Sequence, residues 1–576
     1  MNKIILCILF LCIFSVSLSA LPSEDCCEHR TLENEVFYFV VTDRFANGDL
    51  KNDRGGLSGN SDVHGFDPTR IRHYHGGDLQ GIIDQLPYLE DLGITALWLT
   101  PLFKNIPVAQ GAASYHGYWI VDFTQVDPHL GNSAQLKALI AAAHKRNIKV
   151  FLDIVINHTA DVVRYRECHD ESGAHKPEFK GKLCPYRSLA VSDNDAYTPF
   201  IPAGNEELKT PQWLNSLDYY HHQGDSTFEG ESSTNGDFFG LDDVNTEHPD
   251  VVSGMIEIYK FWMREYRIDG FRIDTTKHVN LAFWQQWVPA IKHEARELGL
   301  DNFFVFGEVY DGNPQVLSTY TTQGKLDSVL DFGLYFAIRK IVAENQGSKV
   351  LAELFAQDGL YTDKDSSALQ LMTFAGNHDA GRLSTFIKRA NPKADDAELL
   401  QRLKLANSML LFLRGIPVLY YGDEQGFVGD GDDAEAREDM MPSKVPEYND
   451  NDLIGTKQTT ADNNFVQSHP LFKDIREKIL LLKKFPGLNR AEQTLVASSD
   501  EPGIFAISRR PVQGEGEFLI VFNTSVEAKT ASLQVRAKNY KMVYPVPEMA
   551  VSQQVASKQL SIIMPPFSAK VFLAGK

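Results

Sequence analysis

The sequence is short of cysteine, of excess positive charge and of long apolar runs, and each shortage removes a class of protein. Six cysteines occur in 576 residues. Zinc binding is disfavoured, because no second Cys-x-x-Cys and no histidine pair stands at ligand spacing. Lysine and arginine number 56 against 76 aspartates and glutamates, a net charge of -20. Phosphate backbones are bound by clustered basic residues, so nucleic acid is not an expected partner. Past the N-terminus no uninterrupted apolar stretch reaches the length of a membrane helix. Internal repeats and low-complexity linkers are also missing. The hydrophobic fraction, 43%, is ordinary for a globular protein and excludes a largely disordered one.

What the N-terminus does have is a targeting pattern. Lys3 is followed by an apolar run over 4–16 and by the small residues Ser17, Ser19 and Ala20. Residues 1–20 are therefore expected to be a signal peptide, and the mature protein to be soluble and exported, extracellular or periplasmic. No membrane contact is expected after cleavage, and a monomer is the expected state. Phe10 and Leu11 before Cys12 disfavour a lipoprotein site. Cys26, Cys27, Cys168 and Cys184 remain, in a compartment that permits disulfides. Cys168 and Cys184 share one loop-rich stretch and are expected to pair; the partners of Cys26 and Cys27 stay open.

A chain of this length exceeds one hydrophobic core, so two or three domains are expected. Short apolar runs recur at 36–41, 94–99, 149–156, 268–273, 303–306, 328–332, 369–374 and 416–421. They are rich in Val, Ile, Leu and Phe without clean alternation, as strands buried on both faces are. Helix-period stretches lie between most of them, including 134–146 and 251–266, the latter with Pro249 near its start. Strand and helix alternating eight times predict an α/β (β/α)8 TIM barrel. The connection after the third strand is too long for a structureless loop and predicts an inserted subdomain. Past about residue 489, short alternating segments between turns predict an all-β C-terminal sandwich. The expected division is signal peptide 1–20, barrel 21–157, inserted subdomain 158–245, barrel 246–488 and β-sandwich 489–576.

In such barrels the chemistry gathers at the C-terminal ends of the strands. The third run ends in Asp153 to Asn157-His158. The fourth ends in Arg272-Ile273-Asp274, followed by Lys277-His278. The fifth ends in Gly307-Glu308, and the seventh in Asn377-His378-Asp379. The carboxylates Asp274, Glu308 and Asp379, with His158, His378 and Arg272, would converge on one rim, where each must be desolvated or paired at a cost in stability. These stretches, with Leu241 to Asn245, His75 to Gln80 and Tyr115 to Trp119, resemble the ordered signature regions of the α-amylase family, glycoside hydrolase family 13. Any one motif is weak; four in order, each at a strand end, are specific.

The resemblance implies Asp274 as nucleophile, Glu308 as general acid/base and Asp379 as transition-state stabiliser of a retaining reaction. Arg272 would favour the ionised nucleophile, and the charges of Asp274 and Asp379 would raise the Glu308 pKa. His158 and His378 are expected to bond sugar hydroxyls, and Tyr118 to stack on a ring, with core packing as its alternative. His116, Lys277 and His278 would line the cleft, although a solvated face remains open for Lys277. Asp153 could fix Arg272 without touching sugar. Phe239 falls where cyclodextrin-forming relatives place a central aromatic.

The resemblance also implies two Ca2+ sites. One is a loop of Asn47, Asp49, Asn52 and Asp53, completed by the Gly76 carbonyl and Asp78; a metal-free Asn/Asp turn is its alternative. The other joins Asn157, Asp243 and the His278 carbonyl, tying insertion to barrel. The implied activity is hydrolysis of internal α-1,4 bonds in starch, glycogen or maltodextrins. The alternative is cyclodextrin glucanotransferase or cyclomaltodextrinase chemistry; a remote one is a non-catalytic α-glucan-binding protein. Val309 and Tyr310 depart from the Trp that often follows the acid/base. A phosphate-binding barrel is disfavoured, because the loop after the last run is acidic, Asp423-Glu424.

Overall fold

Eight short parallel strands make the largest sheet of this computed structural model, which describes residues 31–188, 196–300, 302–511, 516–546, 552–555 and 558–575. The expected signal peptide, Cys26 and Cys27 lie outside the described residues. The strands are β1 (Phe37–Val40), β2 (Ala96–Leu99), β3 (Lys149–Ile154), β4 (Gly270–Ile273), β5 (Phe304–Gly307), β6 (Ser328–Val329), β7 (Met372–Phe374) and β8 (Ile416–Tyr420). They pair in the order β6-β5-β4-β3-β2-β1-β8-β7. A parallel bridge between Leu330 and Met372 joins the two ends, so the sheet closes into the expected barrel.

Every residue of β1 to β8 is buried, which is why these runs show no polar alternation. Aromatic rings fill the interior: Phe37 lies 4.7 Å from Phe151, and Trp98 5.5 Å from Phe306. Gly270 starts β4 because a Cβ there would come within 2.1 Å of the Phe304 carbonyl oxygen. Two runs are shorter as strands than as apolar stretches. Leu369 and Gln370 belong to a 3-10 turn before β7, and the run at 328–332 passes directly from β6 into a helix.

The outer layer includes α1 (Leu79–Leu92), α2 (Ser133–His144), α3 (Pro249–Tyr266), α4 (Leu281–Glu297), α5 (Pro314–Thr322), α6 (Phe332–Val342), α7 (Leu383–Ala390), α8 (Asp396–Phe412) and α9 (Pro470–Lys484). Their starts are written locally. Asp78, Asn132, Asn280 and Asp395 each accept a backbone N–H of the following turn. Pro249, Pro314 and Pro470 occupy first-turn positions, where the missing N–H has no cost. No helix among the described residues is long and apolar enough to cross a membrane.

Between β3 and α3 the chain forms short antiparallel ladders, His158–Thr159 with Asp242–Asp243 and Arg164–Tyr165 with Pro199–Phe200. Cys168 and Cys184 are disulfide-bonded there, as expected, beside the buried rings of Tyr165 and Tyr197.

The C-terminal strands are β9 (Glu492–Ala497), β10 (Ile504–Arg510), β11 (Phe518–Asn523), β12 (Lys529–Gln534), β13 (Asn539–Tyr544), β14 (Ser552–Gln554), β15 (Gln559–Met564) and β16 (Ser568–Ala574). Six form one antiparallel sheet, and β12 with β15 forms a second. On β11, Leu519 and Val521 face the sandwich core with Leu533 and Ile562, whereas Phe518, Ile520 and Phe522 join the barrel's core. The period-2 alternation of side chains therefore packs both faces of this sheet.

Candidate active site

Register alone delivers much of the site. Arg272 on β4 stands level with Asp153 on β3, and Ile273 with Gly307 on β5. One residue further along, Asp274 and Glu308 emerge at the strand ends. Arg272 is fully buried, and its guanidinium gathers the carboxylates around it. Nη1 donates to Asp153 Oδ1 and Oδ2 at 2.8 and 2.9 Å and to Asp274 Oδ1 at 2.8 Å. Nη2 lies 2.9 Å from Glu308 Oε2, which also accepts the Thr275 N–H at 3.2 Å. Asp153 is held further by Trp98 Nε1 at 3.0 Å and the Tyr118 hydroxyl at 3.1 Å. It touches Arg272 from below and has no exposure, which matches its reading as an organiser.

Asp379 reaches the same cleft from β7. His378 Nε2 lies 3.1 Å from Asp379 Oδ2, and the Tyr118 hydroxyl lies 2.8 Å from His378 Nε2. Arg437 Nη2 donates to Asp379 Oδ1 at 2.8 Å, and Arg437 Nε to the His378 carbonyl at 3.0 Å. The Asp379 side chain is 37% exposed, against 8% for Asp274 and Glu308, so it is the most open of the three acids.

Burial pushes the Glu308 carboxyl up to about 8; the charges of Asp274 and Asp379 add to this and Arg272 opposes it. The like charges expected to do this work are the smaller cause. Burial also raises Asp274, to about 6, against the pull of Arg272 and with help from Asp379. The two carboxyls are thus split in the direction that acid and nucleophile need. Burial holds His116 and His158 down to about 3, so both imidazoles are neutral. His158 Nε2 and His378 Nδ1 are buried with no protein partner among the described residues. His158 lines the cleft, so its capacity is free for a ligand; His378 turns Nε2 to Tyr118 and Asp379 instead.

Around these groups lies a cleft of about 680 Å³ lined by every predicted cleft residue except Arg272 and His378, which lie beneath it. Tyr118 stacks between His116 and His378, at 5.7 Å from each ring. Phe239 stands 65% exposed at the mouth, against Phe228 at 4.8 Å and Phe238 at 5.2 Å. His278 Nδ1 lies 2.8 Å from the Ser233 carbonyl, and Lys277 Nζ pairs with Asp311 Oδ2 at 3.0 Å.

Sequence reasoning missed Arg437, Asp433, Arg72 and Asp311. Arg437 also pairs with Asp433 at 2.7 Å, and Arg72 with Asp433 at 2.9 Å. Only the run Arg437-Glu438-Asp439, three consecutive charged residues, was visible in the sequence; that all three are buried was not. Each has a distant partner: Asp379, Arg382 and His75.

The first calcium loop fits a hard cation in part. Asn47 Oδ1 and Asn52 Oδ1 are buried without a partner among the described residues. Burial pushes Asp53 up, with Asn47 opposing and Asp78, Asp43 and Asp49 adding. A cation held by these oxygens would relieve both conditions. Gly76 is pressed against the loop, since a Cβ there would lie 2.4 Å from Asn47 Nδ2 and 2.9 Å from Asp53 Oδ1. Asp78 has another task. Its Oδ1 accepts Gly48 N and Gly81 N at 3.1 and 2.7 Å, and its Oδ2 accepts Asp49 N and Asn52 Nδ2 at 2.8 and 3.1 Å. Those four donors fill its acceptor sites, so it caps α1 and shapes the loop. Asp49 Oδ1 likewise accepts Lys51 N at 3.2 Å.

The second set does not fit as it stands. Asp243 Oδ2 is taken by His221 Nδ1 at 2.7 Å, and His221 Nε2 also contacts Glu247 at 3.2 Å. Those acids raise His221 to about 10 despite its burial, so an imidazolium occupies the place of a cation partner for Asp243. Asn157 Nδ2 lies 3.4 Å from His158 Nδ1, and the His278 ring, not the expected carbonyl, contacts Ser233, so the engagement of Asp243 by His221 is what stands against this set. Among the described residues no group of three or more His, Cys, Asp or Glu is disposed to hold a metal.

Comparison with known proteins places this site in context. A family model described as "Alpha amylase, catalytic domain" matches residues 39–473. An α-amylase of Streptomyces lividans is 41% identical over 562 residues, covering 94% of this chain and 61% of that protein. A cyclomaltodextrin glucanotransferase of Klebsiella oxytoca is 30% identical over 439 residues, covering 71% of this chain and 60% of its own length. The chain thus spans about three fifths of the length of these two relatives. Among solved structures, an Anoxybacillus α-amylase superposes with a TM-score of 0.71 at 28% identity, covering 95% of this chain and 99% of that one.

Proposed function

Because the chain belongs to the α-amylase family of glycoside hydrolases, we propose that it is a secreted, retaining hydrolase of internal α-1,4 bonds in starch, glycogen or maltodextrins. The observation that carries the reading is the meeting of Asp274, Glu308 and Asp379 in one cleft over the buried guanidinium of Arg272. Glu308, protonated near neutrality, delivers its proton to the glycosidic oxygen as that bond breaks. Asp274, ionised, attacks the anomeric carbon and forms a glycosyl ester. Glu308, now a carboxylate, takes a proton from water, which opens the ester and restores both groups. Asp379, fixed by Arg437 and His378, places negative charge beside the positive ring of the transition state. His158 has a free ring nitrogen for a sugar hydroxyl, His378 holds Tyr118 and Asp379 in place from beneath, and Tyr118 offers an aromatic face.

Calcium belongs to the proposal only at the first loop, where Asn47, Asn52 and Asp53 with the Gly76 carbonyl would hold it. Its contribution there would be structural, bracing the chain between β1 and α1.

A second reading is favoured by the exposed Phe239 ring, which offers a curved chain a central support: transfer to a sugar acceptor or ring formation. Incubation with soluble starch and separation of products by size distinguishes the two. Linear short oligosaccharides with initial α-anomeric configuration by NMR support hydrolysis with retention; rings or elongated chains support transfer. Initial β-anomers would refute the Asp274 ester, and no cleavage at all would refute the proposed activity.

A further inference from the structure

Asp311 lies just beyond the acid, in a stretch to which neither the resemblance nor the motifs assign a role. Its carboxylate is pinned on one side, where Oδ1 accepts the Asn313 N–H at 2.9 Å at the start of α5. On the other side Oδ2 takes Lys277 Nζ at 3.0 Å. Lys277 also reaches the Tyr310 carbonyl at 3.4 Å, and its own carbonyl accepts the Tyr320 hydroxyl at 3.3 Å. An ammonium has three donors, and two are engaged by these oxygens. The third is left for the cleft, which both Lys277 and Tyr310 line beside Glu308.

The pairing is a geometric device. A lysine ammonium sits on a flexible four-carbon stem and holds no fixed position unless something fixes it. Lys277 is 30% exposed, so water competes for its place. Tyr310, the neighbour of Asp311, presents a ring that is 49% exposed and packed 4.4 Å from Phe332. One clamp therefore holds a cationic donor against the Tyr310 carbonyl, beside the ring that Phe332 supports. It ties the turn after β4 to the loop after β5, next to the group that protonates the departing sugar.

We propose that Asp311 is a positioning residue for the leaving-side sugar: it fixes Lys277 and Tyr310 so that the cleft selects substrates with a glucosyl unit beyond the scissile bond. The inference rests on the α-glucan hydrolase reading. Its test compares maltopentaose, which places glucosyl units on the leaving side, with 4-nitrophenyl α-maltotrioside followed by nitrophenol release. In Asp311→Asn the ratio of kcat/KM between the two substrates should fall about tenfold, the worth of a charge-assisted hydrogen bond, and mainly through KM. Lys277→Met should produce a similar fall, and the double variant one no larger than either single change, because both remove the same clamp. Asp311→Glu, which keeps the charge, should recover part of the loss and serves if the Asn variant does not fold. An unchanged ratio in Asp311→Asn, a ratio in Asp311→Glu as low as that in Lys277→Met, or effects of Asp311 and Lys277 that multiply independently, would overturn the proposal. A wild-type chain inactive on both substrates would instead overturn the reading on which it rests.

Discussion

The split between Glu308 and Asp274 makes the pH profile the sharpest test of the mechanism. The perturbation is pH alone, and the structure supplies the magnitudes: Asp274 at about 6 and Glu308 at about 8. The productive form has Asp274 ionised and Glu308 protonated. Near pH 7 roughly nine tenths of each group is in that state, since one unit from a pKa is a tenfold ratio. At pH 5 only about a tenth of Asp274 is ionised, and at pH 9 about a tenth of Glu308 still holds its proton. The expected kcat/KM on maltopentaose is a bell centred near pH 7 that falls about tenfold at each of those limits. The assay is initial rate at substrate well below KM, at constant ionic strength. Asp379→Asn should move both limbs to lower pH in its residual activity, because the Asp379 charge raises both groups. An alkaline limb near the ordinary glutamic acid value of about 4.3 would show that burial does not hold the proton on Glu308, and the assignment of the acid would fail.

Other outcomes follow from the same contacts. Asp274→Asn should lower kcat on maltooligosaccharides by more than about 10³-fold with an unchanged circular dichroism spectrum, as loss of a nucleophile does; retained turnover would remove Asp274 from that role. Arg437→Ala should cost about 10²-fold in kcat by letting Asp379 drift, read by steady-state kinetics. For stability the sign is set by Glu308, whose folded value lies above its ordinary one. That contribution is complete below the ordinary value and is lost as pH rises through about 8, so the wild-type Tm should fall between pH 5 and 9 more steeply than that of Glu308→Gln; parallel curves would refute this. A chelator should lower Tm, by an amount equivalent to about 2.7 kcal/mol if calcium stands at a hundredfold its Kd, and Asn52→Ala should abolish the difference.

The barrel, and the rim on which the proposed acids stand, could be read from the order of residues. Buried parallel strands advertise themselves as unbroken apolar runs, and a barrel puts its chemistry where those runs end, so position put Asp274, Glu308 and Asp379 on one rim and the family resemblance singled them out there. Alternation likewise marked the C-terminal strands, although not that both faces of their larger sheet are buried. What surrounds each acid is set by contacts between distant parts of the chain. Arg437 meets Asp379, Asp439 meets His75, and Asp311 meets Lys277 across loops that have no periodicity to read. The same holds for His221 beside Asp243, which alters the second calcium set, and for the cause of the raised Glu308 value. Burial is a property of everything packed around a group, and no local pattern in the chain records it.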